Sequence, residues 1–467
     1  MTHPLLLVEP HFRPPLDPEF RPAVLGNRTF LAAVRASGQA APLAIALERA
    51  EGAIAVHRTE VFRPGSGRAE ANFDFAERLV KMLLWQYGGF RIAIGGPSEI
   101  GERIQRAYAP GGARAFDAEL MAEVYDREFR VEVTSADRVP EAREPELHPR
   151  GRHFAGCRVG FDAGASDHKV AAVVDGEVVF SDEVPWLPAK EPDPEYHYRA
   201  ISGAIRKAAA RMPRLDGIGV SAAGVYIANQ VRVASLFRAV PKDVFRRRVR
   251  TLFLDIQKEF GGVPLEVAND GEVAALAGSI EIGEGRVLGI ALGSSEAGGY
   301  VTGEGTITSW LNELAFPAVD FQPKAPVDEW SGDRGCGGEY FSQKAVIRLA
   351  AKAGIRLDPQ ATPAQQLARV QGLLKEGDET ARQIFETVGA YLGYGIAHYA
   401  DRYDVRHVML MGRVVSGGGG TIILRVAREV LAGDFPEIAE RISIHLPDET
   451  QRRVGQAVAA ASLPWIG

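Results

Sequence analysis

The chain has 467 residues, 46% of them hydrophobic and 24% charged, with a formal net charge of −6. At roughly 150 residues per domain, that length predicts about three domains of ordinary globular composition. The acidic balance excludes the overall basic footprint of a nucleic-acid binder. Two cysteines, Cys157 and Cys336, exclude a disulfide scaffold and a cysteine-rich zinc site.

Two thiols in a chain of this size suit a reducing compartment. The first 30 residues are rich in proline and arginine and lack a signal-type apolar run. No stretch of about 18 apolar residues occurs, so the expectation is a cytoplasmic protein without a membrane span. Residues 1–26 read as an extended, wrapping arm, and 27–38 as a short helix. Residues 43–47 and 53–62 alternate apolar and polar positions about a turn, which predicts a β-hairpin. Residues 74–87 carry apolar residues at helical spacing, and Gly88-Gly89 stops that helix. Strands follow at 90–94 and 129–133, with a longer helix between them. The charged, proline-containing stretch 136–152 reads as a linker, which bounds a front α/β domain at 1–150.

A second unit, 151–286, is expected to hold strands at 157–161, 169–174, 177–180, 217–220 and 265–268. Helices fall at 195–212 and 241–260, and another begins after Asp270. The basic run Arg246-Arg247-Arg248 reads as a solvated helix face. A third unit, 287–467, opens on a strand at 287–292. It continues through a helix at 382–403, a strand at 408–411 and a glycine-rich loop. A final helix, about 449–462, is expected to pack back on the second unit. Strands alternating with helices predict α/β layers around largely parallel central strands. Residues 80–96 and 396–412 share a helix–turn–strand–glycine pattern, which suggests that the front domain is a partial copy of the same half-fold.

Four segments carry candidate chemistry, and each also has a plain structural reading. Asp162-Ala163-Gly164-Ala165-Ser166 follows a strand and suits close approach to a phosphate, or a simple β-turn. Asn269-Asp270 sits at a strand's carboxyl end and a helix start, where Asp270 is either a helix cap or a general base. Residues 293–299 (GSSEAGG) cradle phosphate or form a hairpin turn, and Glu296 suits a phosphate site only by pointing away. Gly412 to Gly420 contains a run of four glycines, suited to a nucleotide or to a flexible loop.

In order and placement these segments resemble the ROK family, which comprises bacterial sugar kinases and sugar-responsive repressors of the actin-like ATPase superfamily. The resemblance spans about 156–463. It implies a two-lobed, RNase H-like α/β fold, here with an additional α/β domain in front. Asp162, Gly164 and Ser166 match the family's D-x-G-x-T/S loop, and residues 267–276 (VANDGEVAAL) match its catalytic segment. The resemblance therefore implies Asp270 as catalytic base and Asn269, Glu313 and Glu339 as sugar ligands. It implies nucleotide contacts from Asp162, Gly164, Ser166, Gly293, Ser294, Ser295, Gly412 and Gly417. ATP and Mg²⁺ would be the cofactors and a sugar or polyol the partner. No nucleic acid is expected, and a homodimer is the default. The alternative is a non-catalytic sugar or nucleotide sensor or scaffold.

The sequence also departs from that pattern. Phe316 replaces the family's histidine, which predicts a more apolar wall at the acceptor. Only Cys336 remains of the family's zinc-binding cysteines, so no zinc and no other resident metal site is expected. One extra residue separates Cys336 from Glu339.

Overall fold

The computed structural model describes residues 2–145, 148–446 and 455–467. The front segment builds strands β1 (Ala40–Glu48), β2 (Ile54–Phe62), β3 (Arg91–Gly95) and β4 (Arg130–Thr134). Their order is β2-β1-β3-β4. The helix Ala69–Tyr87 covers this sheet through buried Phe75, Leu79 and Leu83, and it ends at Gly88, with φ of 80°. A left-handed φ favours glycine there, as the sequence anticipates. In place of one long helix after β3 there are two, Ser98–Ala107 and Ala115–Tyr125. The intervening Pro110-Gly111-Gly112 breaks the chain between them.

The second segment gives β5 (Cys157–Ala163), β6 (Asp167–Val174), β7 (Glu177–Pro185), β8 (Gly217–Ala222), a short hairpin β9 (Val225–Ile227) and β10 (Gln230–Val233), and β11 (Leu265–Asn269). The large sheet runs β11-β8-β5-β6-β7. β5 is antiparallel to β6 and parallel to β8, which is parallel to β11. The expected helix 241–260 is broken by a π-turn at Phe245–Val249, and only Leu252–Glu259 continues regularly. Arg246, Arg247 and Arg248 are exposed on that turn.

The third segment gives β12 (Val287–Leu292), β13 (Glu296–Val301), β14 (His407–Met411) and β15 (Ser443–His445), ordered β13-β12-β14-β15. This order matches that of the front sheet, but the polarity does not. β12 runs parallel to β14, whereas β1 runs antiparallel to β3. The front sheet therefore does not reproduce the half-fold, and the 80–96 and 396–412 likeness stops at the helix–turn–strand pattern.

The last helix, Gly455–Ala461, lies across β5 and β8; residues 449–454 of the expected helix lie outside the described residues. Its approach requires glycine beneath it. A Cβ on Gly160 would lie 1.7 Å from the Ala457 carbonyl oxygen, and one on Gly219 would lie 1.6 Å from that of Ala460.

The front segment shares its cores with the third segment. Phe20 of the arm sits among Tyr340, Tyr391 and Tyr394, with ring centroids 4.8 Å from Tyr391. Asp17 accepts the Tyr391 hydroxyl at 2.6 Å. Ala318 and Phe321 in turn fill the core beneath the helix Ala69–Tyr87. Burying one such aromatic contributes about 1.5–3 kcal/mol, so the arm is an integral part of the packing.

Candidate functional site

The site lies where the carboxyl ends of β5, β8 and β11 face the third segment. Asn269 ends β11 and caps the helix Asp270–Ile282, its Oδ1 accepting the Gly271 N–H at 2.8 Å. Its Nδ2 donates to the Gly224 carbonyl at 2.8 Å. The cap is therefore Asn269, and the capping reading of Asp270 is corrected: Asp270 is the first helical residue. With both ends of its amide engaged, Asn269 positions the helix start. The helix can enter because β13 is stripped of side chains there. A Cβ on Gly299 would lie 2.2 Å from the Gly271 carbonyl oxygen, and one on Gly271 would lie 2.5 Å from that of Gly298. Gly298 and Gly299 thus serve helix packing, and the turn proper is only Gly293-Ser294-Ser295.

Three carboxylates gather around this helix start. Asp270 is held above its ordinary pKa by burial. Glu313 is pushed up to about 7 by burial and by the charges of Asp270 and Glu272. Glu272 is likewise pushed up to about 7, chiefly by burial. Carboxylates buried together cannot all ionise at once, so the cluster holds exchangeable protons near neutral pH. Glu272 had no assigned role in the sequence; its only signal was its place two residues after Asp270.

Glu313 is placed by the front domain. Its N–H donates to the Trp85 carbonyl at 3.0 Å, and the Asn312 N–H donates to that of Gln86 at 2.9 Å. Asn312 sits at φ of 52°, a left-handed conformation that asparagine tolerates. Its amide bridges Glu272 at 3.3 Å and the Tyr403 hydroxyl at 3.0 Å.

Phe316 does not line the acceptor position as expected. Its ring stacks on Trp85 with centroids 3.9 Å apart and touches Phe116, because the front domain offers an aromatic surface there. Glu339 lies in a buried turn with its carboxylate committed to Lys344 at 3.0 Å. The structure does not join it to the Asp270 cluster. Cys336 is buried, and burial raises its thiol to about 12. The neighbouring Asp333 is bound by Arg78, Lys81 and Arg114 of the front domain.

On the opposite side, Asp162 ends β5 and accepts the Ser221 hydroxyl at 2.8 Å; burial pushes it up to about 6. Gln456 of the last helix donates to Ser221 Oγ at 3.0 Å and to the Asp270 carbonyl at 3.1 Å. One bonded chain thus joins Asp162 to the backbone of Asp270. Gly164 and Ser166 form the β5–β6 turn. The Gly164 carbonyl accepts the Trp186 indole N–H at 2.7 Å, and the Ser166 hydroxyl donates to Asp167 at 2.9 Å. Ser294 and Ser295 are exposed at the tip of the β12–β13 turn. Gly412 follows β14 with φ of 94°, and a Cβ on it would lie 2.4 Å from the Leu292 carbonyl oxygen. That contact sets the two turns side by side. Gly417 precedes the helix Gly418–Asp434, whose first N–H groups carry partial positive charge. Glu296 points inward, accepting the Tyr399 hydroxyl at 2.8 Å, and burial pushes its pKa well above the ordinary carboxylate range.

The two packed sheet-and-helix lobes, with the site between them, define the actin-like ATPase fold. By sequence, no family model and no curated protein matches the chain. Among solved structures, the chain is similar to a ROK hexokinase from Thermus thermophilus: 23% identity, TM-score 0.52, 66% of this chain and 97% of that one. It is also similar to a ROK family transcriptional regulator, a homolog of the E. coli MLC protein: 16% identity, TM-score 0.53, 78% of this chain and 88% of that one. The chain therefore has the fold of ROK proteins. Among the described residues, no helix is long and apolar enough to cross a membrane.

Proposed function

We propose that the protein is an ATP-dependent kinase that phosphorylates a hydroxyl of a sugar or polyol. The observation that carries this reading is the half-buried Asp270 immediately after β11, with Glu313 and Glu272 near it and the 164–166, 293–295 and 412–417 turns across the cleft. A carboxylate raised toward neutrality is a better general base. Asp270 takes the proton of the attacking hydroxyl, whose oxygen forms the new bond to phosphorus as the bond to ADP breaks. Glu313, near half-protonation at neutral pH, both donates to and accepts from neighbouring hydroxyls and so fixes their orientation. The exposed backbone of the three turns cradles the nucleotide phosphates.

Among the described residues, no group of three or more His, Cys, Asp or Glu side chains could hold a metal by itself. That suits Mg²⁺, which is usually bound through one or two carboxylates plus substrate phosphates. Asp162 is the residue that would hold it, and the ion would neutralise charge on the transferred phosphoryl group.

A second reading, a sugar-responsive sensor without turnover, is favoured by Glu339 and Ser166 being engaged within the protein. ATP turnover with Mg²⁺ across sugars and polyols, run beside Asp270→Asn, separates the two. Acceptor-dependent turnover lost in the variant supports the kinase; sugar binding without turnover supports the sensor.

A further inference from the structure

A cavity of about 280 Å³ opens beside Asn269 and runs along β11, between that strand and the front domain. It is just under the roughly 300–1,000 Å³ of most ligand pockets. β11 is the edge strand of its sheet, and a side chain satisfies its edge. Asn229 Oδ1 accepts the Val267 N–H at 2.9 Å, and its Nδ2 donates to the Leu265 carbonyl at 2.8 Å. No further strand is needed there, so the space remains open to a ligand.

The walls are aromatic and polar in alternation: Tyr125 from the front domain, Tyr226 from β9, Trp310 from the third segment, with Arg49 and Glu272. Asn269 and Glu272, which flank Asp270 in sequence, both line the cavity and bring it to the start of the helix Asp270–Ile282. The guanidinium charges are already matched. Arg49 pairs with Glu144 at 2.8 Å, and Arg150 pairs with Glu266 at 3.3 Å. Glu51 and Glu272 also line the cavity without an ion-pair partner among the described residues, so it does not favour an anionic ligand. One donor remains unmet. Arg49 is 2% exposed, its terminal nitrogens are engaged by Ser309 and Glu144, and its Nε is buried with no partner. Aromatic faces beside scattered polar groups suit a sugar ring, apolar on its faces and polar at its rim.

The geometry points to a second subsite: the cavity takes the distal ring of a neutral two-ring acceptor whose proximal hydroxyl lies at Asp270. This rests on the proposed reading of the cleft as a sugar site. It gives the front domain a direct part in choosing the acceptor, through Arg49 and Tyr125.

The test uses the full chain, ATP and Mg²⁺, with a panel of neutral monosaccharides and disaccharides, read as kcat/KM and by titration calorimetry. Disaccharides are expected to exceed their constituent monosaccharides by about tenfold or more, the scale of discrimination that added ring contacts supply. Ala50→Phe, placed in the turn after β1 that lines the cavity, narrows the subsite without altering any residue of the Asp270 cluster. It should remove that advantage while leaving monosaccharide turnover and melting temperature unchanged. Equal use of both sizes, or an advantage that survives Ala50→Phe, overturns the subsite and leaves the kinase reading standing. No binding or turnover of any sugar sinks the reading of the cleft, and the subsite with it.

Discussion

The Lys81 ammonium donates to the Asp333 carboxylate at 2.8 Å across 252 positions of sequence, with both side chains buried. Arg78 and Arg114 bind the same carboxylate at 2.7 Å each. Three cations hold Asp333 ionised, far below the usual carboxylate range. This cluster ties the front domain to the segment that follows Glu313.

Removing the shared anion leaves buried Lys81 and Arg114 and half-buried Arg78 with only Glu77 and Asp117, among the described residues, to offset them. Asp333→Asn should destabilise the protein by about 3–5 kcal/mol, the scale for breaking a buried ion pair from one side. Because the folded-state pKa is depressed, this contribution is present above the unfolded value near pH 4 and is lost as pH falls below it. Denaturant melts of both proteins should therefore differ widely at pH 7 and converge in acid.

Glu313 behaves in the opposite sense. Its folded pKa is raised to about 7, so its protonated form is favoured by folding. The associated stability is full below about pH 4.3, the unfolded value, and is lost as pH rises through 7. Glu313→Gln should match wild type at pH 4.5 and exceed it by on the order of 1 kcal/mol at pH 8. A constant difference across that range would show that Glu313 is not the titrating group.

Asp270→Asn keeps the shape of the helix start, since the cap is Asn269. It should lower acceptor-dependent kcat by about 10²–10⁴-fold, the usual contribution of a positioned base. ATP affinity by calorimetry should stay within about twofold, because Asp270 lies on the acceptor side.

Gly219→Ala places a methyl group against the backbone of the last helix. The helix must withdraw, pulling Gln456 from Ser221 and from the Asp270 carbonyl. A loss of about 1–3 kcal/mol, typical of overpacking, is expected in thermal melts. Turnover should fall with it, although residue 219 touches no substrate.

The 267–276 segment was legible because its signals are local. Val267-Ala268-Asn269-Asp270 reads as a strand running into a helix from the residues themselves, and β11 and the helix Asp270–Ile282 form there. The hairpin at 43–62 and the stop at Gly88 were legible for the same reason. Phe316 was misread because its place in a motif says what it replaces and not what it packs against. Trp85, its partner, lies more than two hundred residues away in the front segment. Gly298 and Gly299 looked like a phosphate loop because absence of a side chain is the same signal for a ligand and for a helix.

The sequence by itself determined the kinds of element and their order along the chain, since periodicity and turn residues act over a few positions. It also determined which acidic residues stand at strand ends. Tertiary structure decided which charges met, which way β1 runs against β3, and that the front domain would hold Glu313 and wall the cavity at Arg49. Those outcomes depend on groups hundreds of residues apart, and a buried charge or backbone N–H takes whichever partner the packing of the whole chain brings within reach.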